Sequence, residues 1–137
     1  MADLARFLDA QEGTHAAALA ELRAGAKRSH WMWWVFPQIE GLGRSGTARA
    51  YAIAGRAEAE AYLAHPVLGP RLAEAAQAML ANTGRRAEEV LGPVDAAKLR
   101  SSMTLFSALD GAPPILGRVL EAFFGGRPDP ETLRRLT

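Results

Sequence analysis

Apolar side chains recur at helical spacing along most of the chain. Leu4, Phe7, Leu8 and Gln11 fall at i, i+3, i+4 and i+7 and share one face of a first helix. Gly13 interrupts it. Thr14 can cap a second helix that carries Ala18, Leu19 and Leu22 on one side, and Gly25 suits its C′ position. The pattern then breaks. From Ala26 to Ser45 the chain holds every Trp, together with Pro37, Gly41 and Gly43. This stretch reads as an ordered connection with one helical turn through Trp31–Phe36. Helical spacing returns over Thr47–Ala54 and Arg56–Leu63. His65-Pro66 marks a boundary with His65 as a loop or cap residue, because a residue before Pro avoids the helical region. Pro70 suits the first position of a helix that lines up Leu72, Ala75, Ala76, Met79 and Leu80. A short helix over Arg86–Leu91 follows. A longer one over Asp95–Leu109 turns Leu99, Ser102, Met103 and Phe106 inward. Ile115–Phe124 is helical, and Asp129-Pro130-Glu131 opens the last helix with a cap and a proline at its first position.

Composition agrees with helices. The 137 residues include 28 Ala and 17 Leu, but Val and Ile together supply only 8. No strand-like alternation persists beyond four residues, and no repeat or linker divides the chain. The expected architecture is all-α: a single domain over residues 1–137 built from about seven to eight short helices. A chain of this size should fold to roughly 7,000 Å² of surface and bury about two-thirds of what it exposes unfolded.

Charge and cysteine content remove several functions. With 16 basic and 15 acidic side chains the net charge is +1, which argues against broad binding to nucleic acid or an anionic membrane. The absence of Cys excludes disulfides, thiolate metal sites and a Cys nucleophile. His15, His30 and His65 lack metal-ligand spacing, so no metal or cofactor is expected, and His15 reads as a surface residue on an Ala-rich helix. The start, Met1-Ala2-Asp3-Leu4, has no basic and apolar leader pattern, and no run approaches 18 apolar residues. A cytoplasmic location is the resulting expectation.

Two segments concentrate the remaining chemistry. Lys27, Arg28, Ser29, His30, Trp31, Trp33 and Gln38 stand in the Trp-rich stretch, followed by Arg44 and Ser45 after two glycines. Lys98, Arg100, Ser101, Ser102 and Thr104 stand in the long helix. Indoles offer stacking faces and one N–H each, basic groups neutralise phosphates, and hydroxyls add polar contacts. These are the parts of a site for a small anionic, nucleotide-like ligand, with ADP-ribose or an NAD-related molecule as one form. The Gly41-Leu42-Gly43-Arg44-Ser45 run is not a P-loop, since no Gly-Lys-Ser/Thr follows.

A structural reading stands beside this one at each position. Tryptophans fill small cores, helical hydroxyls bond back to their own helix, and exposed lysines solvate a face. A Ser–His–acid trio can be assembled on paper from Ser29 or Ser101, His30 and Asp95, as most chains of this size allow. The alternative reading makes the Trp-rich segment an aromatic anchor for a protein partner. Whether the chain is an enzyme, and its oligomeric state, stay open. The observation that decides most is whether the two segments meet.

The motifs SHWMWWVFPQ (29–38), GLGRS (41–45), YLAHPVLGPRL (62–72) and KLRSSMTLF (98–106) resemble the DUF1810 family of small bacterial proteins. The resemblance runs from Phe7-Leu8-Asp9-Ala10-Gln11 to the FFGG-x-PD ending at Phe123–Asp129. It implies a compact, superhelical, all-helical domain and no established activity.

Overall fold

A computed structural model describes residues 4–136. Among them are ten helices and no strand: α1 (Ala5–Glu12), α2 (His15–Ala24), α3 (Met32–Val35), α4 (Gly46–Ala50), α5 (Arg56–Ala64), α6 (Leu68–Leu80), α7 (Ala87–Leu91), α8 (Pro93–Ser107), α9 (Pro114–Phe124) and α10 (Pro130–Leu136). The all-α expectation holds. The helices outnumber the expected seven to eight because one-turn pieces such as α3 and α4 stand as elements of their own. The surface of 6926 Å² agrees with the value that size alone predicts.

α8 runs through the middle. Its six consecutive residues Ser101–Phe106 are all buried, which a helix achieves only when neighbours cover it on every side. α5, α7, α9 and α10 pack around it, and α6 links α9 to α2 and α5. Phe7, Tyr62 and Phe106 form an aromatic chain through the core, with ring centroids 5.1 and 5.2 Å apart. Gln11 lies fully inside this region. Its amide donates to the Trp34 carbonyl at 2.8 Å and to the Tyr62 hydroxyl at 3.0 Å, so its burial leaves the donor satisfied.

Helix boundaries follow local chemistry, with corrections. Gly25 ends α2 in the left-handed region (φ 74°), as expected. The positive φ favours glycine there, and a Cβ would also displace the Arg85 guanidinium and the Asn82 carboxamide. Thr14 sits at the start of α2 but does not cap it. Its hydroxyl donates to the Ala10 carbonyl (2.6 Å) and accepts the Trp34 indole N–H (2.9 Å). His65 is the cap it was expected to be: Nδ1 accepts the N–H groups of Val67 and Leu68 at 3.1 and 3.2 Å. That cap starts α6 at Leu68, two residues before Pro70, which is therefore not the first helical residue. Pro70 still lies within the first turn, where a missing N–H costs nothing.

The helix expected over Thr47–Ala54 stops at Ala50. Ile53 leaves it to make a one-residue bridge with Ile39, with Glu40 N–H on the Ile53 carbonyl and Ile53 N–H on the Gln38 carbonyl, each 2.8 Å. Burial of both isoleucines favours this pairing over another helical turn. α8 begins earlier than expected, at Pro93, whose ring suits the first position. At the far end Asp129 caps α10 through Thr132 N–H (3.1 Å) and hydroxyl (2.5 Å). His15 is not a free surface residue: Nε2 lies 2.9 Å from Glu74 Oε1 and ties α2 to α6. No helix among the described residues is long and apolar enough to cross a membrane.

Candidate functional site

The loop before α3 is held by one carboxylate. Glu21, in the last turn of α2, accepts Arg28 N–H (2.7 Å), Ser29 N–H (3.0 Å), the Ser29 hydroxyl (2.5 Å) and the buried Trp31 indole N–H (2.9 Å). Partial burial alone would raise the Glu21 pKa. The donors outweigh it and pull the group down from 4.5 to about 2. Sequence reasoning missed Glu21. Its one signal was an acid at a helix C-terminus, where the dipole disfavours negative charge.

Anchored in this way, the loop turns into α3 with Trp31, Met32, Val35 and Phe36 facing the core. The tryptophans divide into distinct roles. Trp31 is buried and bonded to Glu21. Trp34 is half-buried and bonded to Thr14. Trp33 is half-buried, and its indole N–H has no partner among the described residues. The Lys98 ammonium of α8 lies 4.6 Å from the centre of the Trp33 ring, a cation–π distance.

The two sequence segments therefore meet. Asp95 joins them: Oδ2 lies 2.9 Å from Lys27 Nζ and Oδ1 lies 3.3 Å from Lys98 Nζ. Lys27 Nζ also donates to the Ser29 carbonyl at 2.7 Å and sits 5.1 Å from the Trp31 ring centre. Gln38 makes a further link, with Nε2 donating to the Ser101 hydroxyl at 2.6 Å. Two ammonium groups share one carboxylate, so the cluster keeps net positive charge beside a partly exposed indole. Arg28 and His30, exposed on the same loop, make no side-chain bonds among the described residues.

Other expected members stand apart. Ser45 caps α4 by accepting Ala48 N–H at 3.1 Å, and Arg44 is exposed; no bond joins either to the Lys27–Lys98 cluster. Ser102 is fully buried in the middle of α8, beyond reach of a surface ligand. Ser101 and Thr104 bond back to α8, at the carbonyls of Lys98 (3.1 Å) and Arg100 (2.8 Å). Arg100 points away from Lys98, since residues two apart lie about 200° round a helix. It donates instead to the carbonyls of Arg127 and Pro128 at 3.0 and 2.9 Å. The paper trio of serine, histidine and acid is not assembled: Asp95 binds two lysines, Ser29 binds Glu21, and Ser101 binds Gln38.

Comparison with known proteins adds the family. The family described as a protein of unknown function, DUF1810, matches residues 1–136. The chain belongs to the DUF1810 family. A solved structure, that of the conserved hypothetical protein Rv1873 from Mycobacterium tuberculosis, is 46% identical with a TM-score of 0.94, covering 98% of this chain and 96% of that one. No curated protein matches the chain. Shared fold does not supply a function, so the DUF1810 domain must be read from its own site.

Proposed function

We propose that this DUF1810 domain binds a small anionic, nucleotide-like ligand where the α2–α3 loop meets α8. The observation that carries the reading is Trp33: a half-exposed indole with an unpartnered N–H, under the Lys98 ammonium and next to a net positive Lys27–Asp95–Lys98 cluster. An indole can stack on or hydrogen-bond a planar base, while ammonium and guanidinium groups neutralise phosphate. Lys27 and Lys98 are already positioned by Asp95, which lowers the ordering cost of binding. Arg28 and His30 supply further donors from the loop. ADP-ribose and NAD-related molecules have the required combination of base and diphosphate. A bacterial, cytoplasmic setting belongs to the same reading, supported on the bacterial side by the likeness to the mycobacterial protein.

A panel of AMP, ADP, ADP-ribose and NAD in thermal-shift and calorimetric titrations tests this. At least one should raise Tm and bind saturably, and Arg28→Gln, which removes no structural bond of its side chain, should weaken it. No binding by any member, or equal binding by Arg28→Gln and Lys98→Gln, overturns the reading. An alternative reading uses Trp33 as an anchor for a protein partner, because its partial exposure on a one-turn helix also suits an interface.

A further inference from the structure

A cleft lies elsewhere on α8, apart from Trp33. It has a volume of about 360 Å³ and is lined by Arg100, Phe124, Gly125 and Arg127. None of these is acidic. Arg100 is held rigidly: Nε and Nη2 donate to the carbonyls of Arg127 and Pro128, and Thr104 one turn further on accepts Asp129 N–H at 2.8 Å. The turn after α9 is thus stitched to α8 by three bonds. Nη1 of Arg100 keeps its hydrogens free among the described residues, and the Arg127 guanidinium has no bond or ion pair there at all. The Asp129 carboxylate turns Oδ2 to Thr132, where it caps α10, and makes no ion pair with either arginine.

We propose that this cleft is an anion site for the phosphoryl group of a small phosphate monoester, separate from the Trp33 site. Two arginines, whose charge is permanent, line one concave space, and no acidic residue is among its lining. Their free N–H donors outnumber what a single carboxylate can accept, whereas a phosphoryl group offers three oxygens. The rigid Arg100 supplies a pre-set donor, and the exposed Arg127 closes on the anion. The Phe124 ring forms the apolar wall for the ester substituent.

Calorimetric titration of the full chain with phenyl phosphate, inorganic phosphate and benzoate tests the proposal. Phenyl phosphate should bind, more tightly than inorganic phosphate, and benzoate should bind more weakly than either. Arg127→Gln should lower phenyl phosphate affinity by at least about tenfold and leave Tm unchanged, because that side chain bonds nothing in the fold. Arg28→Gln should leave phenyl phosphate affinity unchanged, which separates this cleft from the Trp33 site. Absence of phenyl phosphate binding overturns the site, as does equal affinity in Arg127→Gln. Loss of binding in Arg28→Gln alone moves the ligand to the other site and overturns it too. Equal affinity for inorganic phosphate overturns the role of Phe124, and equal affinity for benzoate overturns the choice of phosphoryl over carboxylate.

Discussion

Replacing Glu21 by Ala should destabilise the protein strongly for one exposed-end helix residue. The carboxylate holds four donors. Three belong to the exposed residues Arg28 and Ser29, which can turn to water, so their loss costs only a fraction of about 1 kcal/mol each. The fourth is the indole N–H of Trp31, a residue 1% exposed. Left without an acceptor it costs about 1–3 kcal/mol. The sum is roughly 2–4 kcal/mol, a large part of a typical 5–15 kcal/mol of stability. With an unfolding entropy of about 0.3 kcal/mol/K for a chain of this length, Tm should fall by roughly 7–13 °C. The pH dependence gives a sharper check. The folded pKa is depressed from 4.5 to about 2, so the stabilisation is complete above the unfolded value and fades as pH falls through the folded one. Urea denaturation of wild type and Glu21→Gln at pH 7 and across the acid range should show a gap that narrows as pH drops from 4.5 towards 2. A Glu21→Ala variant within about 0.5 kcal/mol of wild type at pH 7, or a gap that does not change with pH, would refute the account of the loop anchor.

Further predictions concern packing. In Gly69→Ala the new Cβ would strike the Leu63 backbone carbonyl, which cannot move without shifting α5 against α6. Urea unfolding should show about 1–3 kcal/mol of destabilisation, whereas Gly117→Ala, where the Cβ meets open space, should match or exceed wild-type stability. In Asn82→Ala the Leu22 carbonyl loses its 2.7 Å bond from a buried amide, and the turn that seats Arg85 on Gly25 loosens. Stability should drop by about 1–3 kcal/mol, with faster amide exchange at the end of α2. Thr104→Val keeps the shape of the side chain but removes the acceptor for Asp129 N–H, and exchange should quicken at Asp129 before any change in the rest of α8.

Periodicity made the helices legible because burial and helical spacing agree along α1, α6 and α9. Proline and glycine marked most boundaries for the local reasons they usually do, as at Gly25 and Asp129-Pro130. One boundary error came from a tertiary contact: Ile53 gave up a helical turn to pair with Ile39. Another came from a competing local cap, the His65 imidazole, which started α6 ahead of Pro70. In the site, residue types were legible and partnerships were not. Nothing in the spacing shows that Asp95 would bridge Lys27 and Lys98, or that Glu21 would reach ten residues ahead to Trp31. Arg100 stood beside Lys98 in sequence, yet helix geometry sends the two to different neighbours. Ser102 looked like a ligand hydroxyl and is core.

In the proposed binding mode Trp33 is the ligand-facing tryptophan, and the basic cluster beside it binds the anion. Each of the three indole N–H groups gives its own signal in a nitrogen–proton NMR spectrum, and Trp33→Phe assigns the relevant one. Titration with ADP-ribose should shift the Trp33 indole signal saturably, with little change at Trp31, whose N–H stays on Glu21. Lys98→Gln should weaken that response, and so should higher salt. A Trp33 signal that stays still at millimolar nucleotide, or shifts confined to Trp31 and Trp34, would contradict the account.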